Sequence, residues 1–355
     1  VIIARLREFL RSCVSTPLNI VLTLVVLGGF AAMFPSLIEW ALVDAVWSGN
    51  SGQSCAGTNA ACWLFVRLHS DLILFGRYPP SEHWRVELAG LLGLVSVLVI
   101  LLPGIRRKLE VACALLVLYP LVAATLLCGG VFGLPPVPTL LWGGLLLTVV
   151  VAAWTIVTAI PCGLLLALGR RSAMPVVAVL SARYIDIVRG LPLVGVLFVA
   201  VVLLPVFMPP GVDINNLVSA LVAFTFFNAA TLAEVFRGGL QSVPRHQYEG
   251  GAALGLSHGQ VLLRVVIPQA VSAALPGIVN VCVEIVKETT LILIVGLLDL
   301  LAVLQGGITD PEWLVSDQVR KTAYFFAGLA FWTLCFSLSR YSSRIERGMS
   351  AGTRS

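Results

Sequence analysis

The chain has 355 residues, of which 58% are hydrophobic and 12% charged, with a formal net charge of +5. A soluble globular chain carries about 25% charged residues. With a mean hydropathy of +0.98, this composition excludes a soluble enzyme and a disordered chain, and long apolar runs without strand-like alternation exclude a β-barrel.

What remains is an all-α polytopic membrane protein. In chain order, apolar runs near 18–34, 88–103, 109–128, 140–168, 185–208, 217–236, 275–304 and 322–338 predict about eight membrane helices. The first run follows a basic stretch with no small-residue cleavage site, so it reads as a retained span. A further apolar stretch, Ser36–Trp47, carries Glu39 and Asp44 with Trp40 and Trp47, and reads as an interfacial helix. The run 88–103 is short for a hydrocarbon core of about 30 Å and would borrow flanking residues. Pro161 and Pro205, within spans, read as kinks.

Basic residues gather in alternate loops. One set holds Arg5, Arg7 and Arg11; Arg106, Arg107 and Lys108; Arg170, Arg171, Arg183 and Arg189; Arg237, Arg245 and Arg264; and Arg340, Arg344, Arg347 and Arg354. Such loops mark the cytoplasmic side, which places both termini there. The positive charge is therefore a topological signal and implies no nucleic-acid partner. Cys55 and Cys62 share the long outer loop, 48–87. In an oxidising compartment they either form a disulfide or remain two thiols.

The chain has three lysines, none preceded by a glycine-rich phosphate loop. Its four histidines never show zinc-site spacing, and no CxxC pair occurs. It therefore reads as a non-catalytic membrane subunit with no metal or cofactor of its own. Energy for uphill transport must come from a partner or an ion gradient.

The longest weakly apolar stretch on the basic side is Arg237–Ile267, RGGLQSVPRHQYEGGAALGLSHGQVLLRVVI. Within it Tyr248–Leu256 predicts a short helix between Pro244 and Pro268. Such a helix is either a linker lying on the bilayer or a docking helix that seats in a groove on a soluble partner.

The spacing Glu249-Gly-Gly-x-x-x-Gly255, then nine residues and Val265-x-Ile267-Pro268, resembles the "EAA" loop of ABC importer permeases. The order TVVVAAWTIVTAIPCGLLLALGRRS, YIDIVRGLPLVGVLF, EVFRGGLQSVP, LGLS, IPQA, LPGIVN, KETTL and GLLDLL is similar to polar amino-acid permeases of the histidine/glutamine/arginine type. The earlier motifs DAVWSG, ACWLFV and FGRYPPSEHWR resemble the N-terminal extension of M-type subunits of general L-amino-acid importers. That resemblance implies a type I importer core of five helices over 136–345, including a cytoplasmic coupling loop at 237–268. It also implies an extension with three helices over 1–135, and a cytoplasmic tail at 346–355. Tyr248, Glu249, Gly250, Gly251, Ala252, Leu254, Gly255, Leu256 and Ser257 would be the ATPase-coupling residues. The family departs from this chain at Gly250 and Gly251, where it has alanines.

The implied partners are an ABC ATPase dimer that uses ATP and Mg, a second homologous permease, a periplasmic amino-acid-binding protein and membrane lipid. The implied site is the bacterial inner membrane, and the implied mechanism is alternating access. A gradient-driven secondary transporter, which would want inverted repeats, and an assembly subunit with no pathway are the alternatives.

Charges inside spans carry the remaining signal. Glu284, Lys287 and Glu288 interrupt the run 275–304, where each ionised group costs about 2.5–3.5 kcal/mol if it faces lipid. They face either a buried interface or a translocation path, and Glu284 can pair with Lys287 at i,i+3. The resemblance carries Lys287, Glu288, Thr289 and Thr290 to the pore region. Asn228, Thr231 and Glu234 lie in the sixth span and, with Arg189, are further candidates for the substrate pathway. Glu234 is in reach of Arg237 and alternatively forms a helix-end ion pair with it, whereas Asn228 lies deeper, where it would meet substrate or the partner permease. Arg189 either binds a carboxylate or anchors the basic side.

Overall fold

The computed structural model describes residues 12–13, 15–102, 108–209, 211 and 214–352. Of the expected basic set, Arg5, Arg7, Arg11, Arg106, Arg107 and Arg354 lie outside the described residues. Among the described residues the regular elements are helices, and extended pairing is limited to three isolated bridges.

In chain order the helices are α1 Pro17–Ile38, α2 Trp63–Leu68, α3 Ser70–Phe75, α4 His83–Leu101, α5 Lys108–Cys128, α6 Gly144–Arg170 and α7 Pro175–Arg189. They continue with α8 Leu193–Phe198, α9 Asn216–Ser242, α10 Arg245–Ala253, α11 His258–Val261, α12 Ile267–Glu288, α13 Leu300–Ile308 and α14 Asp317–Gly352. Six of the described segments are long and apolar enough to cross a membrane: 17–43, 80–100, 110–128, 144–170, 216–242 and 317–340. The bent pair 175–189 with 193–206 adds a seventh. The helix at the remaining expected position, α12, carries Asn280, Glu284, Lys287 and Glu288, which lower its hydropathy.

Three expectations need correction. Ser36–Trp47 is not a separate interfacial helix. Ser36–Ile38 complete α1, and Glu39–Val43 prolong it as a π turn, the Glu39 N–H donating to the carbonyls of Pro35 and Ser36. No helix-terminating residue separates the two segments, so the hydrogen-bond ladder runs on. The run 185–208 is broken at 190–192, where α7 and the following helix meet at 104°. Pro192 has no N–H to donate and disfavours helical geometry in the residue before it. The run 275–304 is likewise three elements. α12 ends at Glu288, a 3-10 segment spans Thr289–Val295, and Gly296 turns the chain at φ 81° before α13. That left-handed geometry suits glycine.

The short span borrows residues as expected, since α4 begins at His83. Pro161 lies within an unbroken α6. Pro205 follows a π turn, Val199–Leu203, and Pro268 follows another, Leu262–Val266. A proline leaves the carbonyl four residues back without its donor, and a wider turn is one way the ladder adapts.

The chain divides into two compact units, Val1–His69 with Gly306–Phe326, and Ser70–Gln305 with Ala327–Ser355. In the first, indole and hydroxyl groups knit distant segments together. The Trp40 indole donates to Gln318 at 2.9 Å, the Cys62 N–H to the Thr322 hydroxyl at 2.8 Å, and the Trp63 indole to the Ala41 carbonyl at 2.6 Å. Phe65 packs edge-on against Trp313 at 5.3 Å between ring centroids. Cys55 and Cys62, both fully buried, are joined by a disulfide with their Cα atoms 5.9 Å apart. Gly52 passes so close to the Glu312 carbonyl that no side chain would fit.

In the second unit, α6, α9 and α12 share a core rich in small residues, including Ala159, Ala167, Ala229, Ala233, Ala270 and Ala274. A methyl on Gly163 would meet the Leu232 Cβ at 2.7 Å, and one on Gly277 would meet a Val235 methyl at 2.7 Å. Small residues let membrane helices pack backbone to backbone where apolar burial drives nothing.

Arg85, at the end of the outer loop 48–87, is fully buried in this unit. Its guanidinium donates to the carbonyls of Leu126 and Pro135, at 3.0 Å for Pro135, and pairs with Glu82 at 3.3 Å. It closes the C-terminal turn of α5, where carbonyls lack helical partners and the helix dipole favours a cation. The Tyr78 hydroxyl donates to the neighbouring Leu127 carbonyl at 2.9 Å. Burial raises the pKa of that phenol above its ordinary value, with Arg85 pulling the other way.

Candidate coupling loop and polar pathway

The coupling segment is built from two short helices and a turn. Pro244 is the extended residue that caps α10, at φ −64° and ψ 149°, and the helix starts directly after it at Arg245, not at Tyr248. It ends at Ala253, before Leu254 and Leu256, which the sequence placed inside it. The cause is Gly255, at φ 74°. Its N–H donates to Ala252 at 2.9 Å while the Leu256 N–H donates to Gly251 at 3.2 Å. This is the Schellman arrangement, in which a left-handed glycine lets the chain fold back onto the last free carbonyls. Ser257 then starts α11: its hydroxyl accepts from the Gln260 N–H and the Gln260 side chain accepts from the Ser257 N–H.

The spacing Gly255-x-Ser257-x-Gly259 has the letters of a hydrolase nucleophile turn. That chemistry needs the serine on a strand-to-helix turn with its oxygen exposed to a base. Here it lies between two helices and its hydroxyl is a helix cap.

The expected coupling residues divide by face. Tyr248 and Leu256 pack on the α6–α9–α12 core, and the buried Tyr248 hydroxyl has no hydrogen-bond partner among the described residues. Gly251 is buried, and a methyl there would lie 2.8 Å from a Val261 methyl carbon. Glu249, Gly250, Ala252, Leu254, Gly255 and Ser257 are exposed, Leu254 at 82%. The two glycines that replace alanines therefore differ: Gly250 faces open space, whereas Gly251 lets α10 and α11 meet.

The intramembrane polar residues form two groups. Asn228, 2% exposed, donates its side-chain amide to the Phe224 carbonyl at 3.2 Å and to Glu288 at 3.5 Å, which joins α9 to α12. Glu284 and Lys287 lie on the exposed face of α12. Among the described residues no ion pair within 4.0 Å joins them, which corrects the expected pairing. Such an exposed i,i+3 pair is worth only about 0.3–0.5 kcal/mol, too little to hold two free side chains together. Thr289 is buried with its hydroxyl donating to Val286, and the Thr290 hydroxyl donates to Lys287, both at 2.9 Å. Thr231 is half-buried on α9.

The second group centres on Glu234. Its carboxylate accepts from Arg170 at 2.8 Å and meets Arg237 at 2.7 Å and Arg189 at 3.9 Å. Arg170 also pairs with Asp186 at 3.2 Å. Arg237 reaches Gln241, and the adjacent Arg171 donates to the Leu240 carbonyl, each at 3.1 Å. The expected Glu234–Arg237 contact is present, but Arg189 and Glu234 meet each other here, apart from the Asn228–Glu288 contact. Sequence reasoning missed Arg170 and Asp186 as members. Arg170 was counted only as a basic-side marker, and Asp186 lay at the edge of an apolar run.

The described residues thus hold six segments long and apolar enough to cross a membrane, and a capped, partly exposed loop between two long helices. A family model for binding-protein-dependent transport system inner membrane components matches residues 159–351. The chain belongs to that family and is the membrane permease subunit of an ABC importer.

Among its relatives is the inner membrane amino-acid ABC transporter permease protein YhdY of Escherichia coli K12. The two are 41% identical over 320 residues, 90% of this chain and 86% of the relative. The glutamate/glutamine/aspartate/asparagine transport system permease protein BztC of Rhodobacter capsulatus is 34% identical, over 94% of this chain and 91% of its own length. A solved structure described as an amino acid ABC transporter with histidines superposes on 57% of this chain and 91% of its own. Its TM-score is 0.49, at 25% identity.

Proposed function

We propose that this subunit passes L-amino acids from the periplasm to the cytoplasm by alternating access, driven by a separate ATPase dimer that consumes Mg–ATP. The chain itself performs no catalysis. A periplasmic binding protein delivers the substrate, and a second homologous permease completes the path. Both termini lie in the cytoplasm. Residues 1–135 form an added N-terminal region and 136–345 the importer core. An alignment with YhdY over 90% of this chain supports that reading, because it must include most of the first 135 residues.

The observation that carries the proposal is the loop 237–268. Its inward side is locked by Tyr248, Gly251 and Leu256, while Glu249 and Leu254 stand outward on one short helix and its end. A rigid helix offering a carboxylate and an apolar side chain fits a groove on a soluble partner. The polar face of α12, with Asn280, Glu284 and Lys287 exposed, fits a path closed by the second permease. A polar stripe of that kind is costly against lipid.

The test is ATP hydrolysis by the complex that copurifies with this chain in lipid nanodiscs, with and without the binding protein and a panel of amino acids. The proposal expects stimulation that requires both additions. Absence of any copurifying ATPase would favour a gradient-driven transporter, and stimulation by no amino acid would overturn the substrate class.

A further inference from the structure

The Glu234 cluster joins the ends of α6 and α7 to α9. Arg170 is the last residue of α6, and Asp186 and Arg189 occupy the last turn of α7, directly before the 104° break at 190–192. Glu234 and Arg237 belong to α9, the unbroken helix whose end leads through Val243 and Pro244 into α10. Glu234 is eight residues from that end, roughly 12 Å along the axis. It is 15% exposed and is the acceptor around which three guanidinium groups converge. On the same helix Asn228 reaches Glu288. One rod thus carries the coupling loop, the ion cluster and the contact to α12.

We propose that Glu234 is a positioning residue that makes the break between α7 and α8 follow the coupling loop. α9 is one helix from Asn216 to Ser242, packed backbone-close to α6 at Gly163, whose added methyl would lie 3.0 Å from the Ala229 carbonyl, so a push on α10 would reach Glu234 along a single helix. The carboxylate turns that displacement into a pull on Arg189 and, through Arg170, on Asp186, both beside the hinge. Charge-assisted contacts of this kind exchange partners without a repacked core, which suits an element with two arrangements. Arginine pairs joined through one shared carboxylate also explain why the cluster holds more cations than acids: Arg170, Arg189 and Arg237 compete for Glu234, so one can be released as another tightens. This assignment rests on the permease reading above and lies outside the path proposed there.

The experiment uses the complete complex in nanodiscs with its ATPase and binding protein, comparing basal hydrolysis with hydrolysis in the presence of binding protein and amino acid. Glu234→Gln is expected to lower the stimulated-to-basal ratio about tenfold, within the usual range of coupling between sites. Basal rate and complex yield should stay near the parent's. An unchanged ratio, or basal and stimulated rates falling in step, overturns the proposal, since a merely structural role moves both. If Glu234→Gln does not assemble, Asp186→Asn, at a half-exposed position, is expected to lower the ratio about threefold. An unaltered ratio there overturns it equally. A parent complex without stimulation would instead sink the importer reading itself.

Discussion

Two helix ends in this protein are closed in opposite ways. The last turn of α5 is closed from a distance by Arg85, whose partners Leu126 and Pro135 lie 41 and 50 residues further along the chain. The last turn of α10 is closed by its own next residues, Gly255 and Leu256. The first is fully buried and has no freedom left. The second keeps its inner side packed and leaves Glu249 and Leu254 free. An end sealed by a remote charge is an anchor, whereas an end sealed by local backbone can present a surface to a partner without loosening.

Removing the remote seal should have the largest effect. Arg85→Leu strands at least two carbonyls and leaves Glu82 unpaired, a loss of roughly 3–5 kcal/mol for a buried hydrogen-bonded cation. Thermal unfolding of the purified subunit should show it as a lower midpoint, and an unchanged midpoint would remove the anchor from the comparison.

Gly251→Ala comes next. The added methyl collides with Val261 and should cost about 1–3 kcal/mol by overpacking. Val261→Ala in the same chain should recover most of that loss, as read by protease resistance of the loop. Absence of recovery would mean that the α10–α11 contact is not what Gly251 serves.

Glu249→Arg should leave the membrane bundle intact while weakening capture of the ATPase about tenfold in pull-down titrations, about 1.4 kcal/mol. Full capture would deny the outward face of α10 its docking role. The smallest change is Gly250→Ala, with the methyl in open space. It should stabilise α10 by about 1 kcal/mol through helix propensity alone, visible as slower amide exchange over 245–253. The opposite signs at adjacent glycines are the sharpest form of the contrast.

The same contrast explains what could be read in the sequence. The existence of a helix after Pro244 was legible, but its end was not: the expected helix ran through Gly255 to Leu256, although the determinants of the end are neighbours, Gly255 and Ser257 with Gln260 three residues on. The apolar runs gave the membrane class, and the EAA-like spacing gave the family. The 104° bend was not drawn from the sequence, although Gly190-Leu191-Pro192 carries it, because an apolar run hides a local breaker. Arg85 was illegible since its acceptors are backbone carbonyls, which leave no mark on residue type. The Glu234 cluster was half legible: Arg237 lies one turn away, but Arg170 is 64 residues distant. The i,i+3 spacing of Glu284 and Lys287 misled for the opposite reason, because sequence spacing permits a contact without holding it.

The first membrane segment has its own consequence. Residues 17–43 run as one helical stretch of 27 residues, and none of α1 is buried within the chain. At 1.5 Å per residue that is roughly 40 Å of helix for a hydrocarbon layer of about 30 Å. Excess length of this kind is taken up by tilting, at a fraction of a kcal/mol per ångström of mismatch. Trp40 and Ala41 tie only the far end of the stretch to the rest of the chain, and none of Pro17–Ile38 is buried among the described residues, so α1 leans more in a thin bilayer and stands up in a thick one. The lipid chosen for reconstitution thereby becomes a variable of its structure.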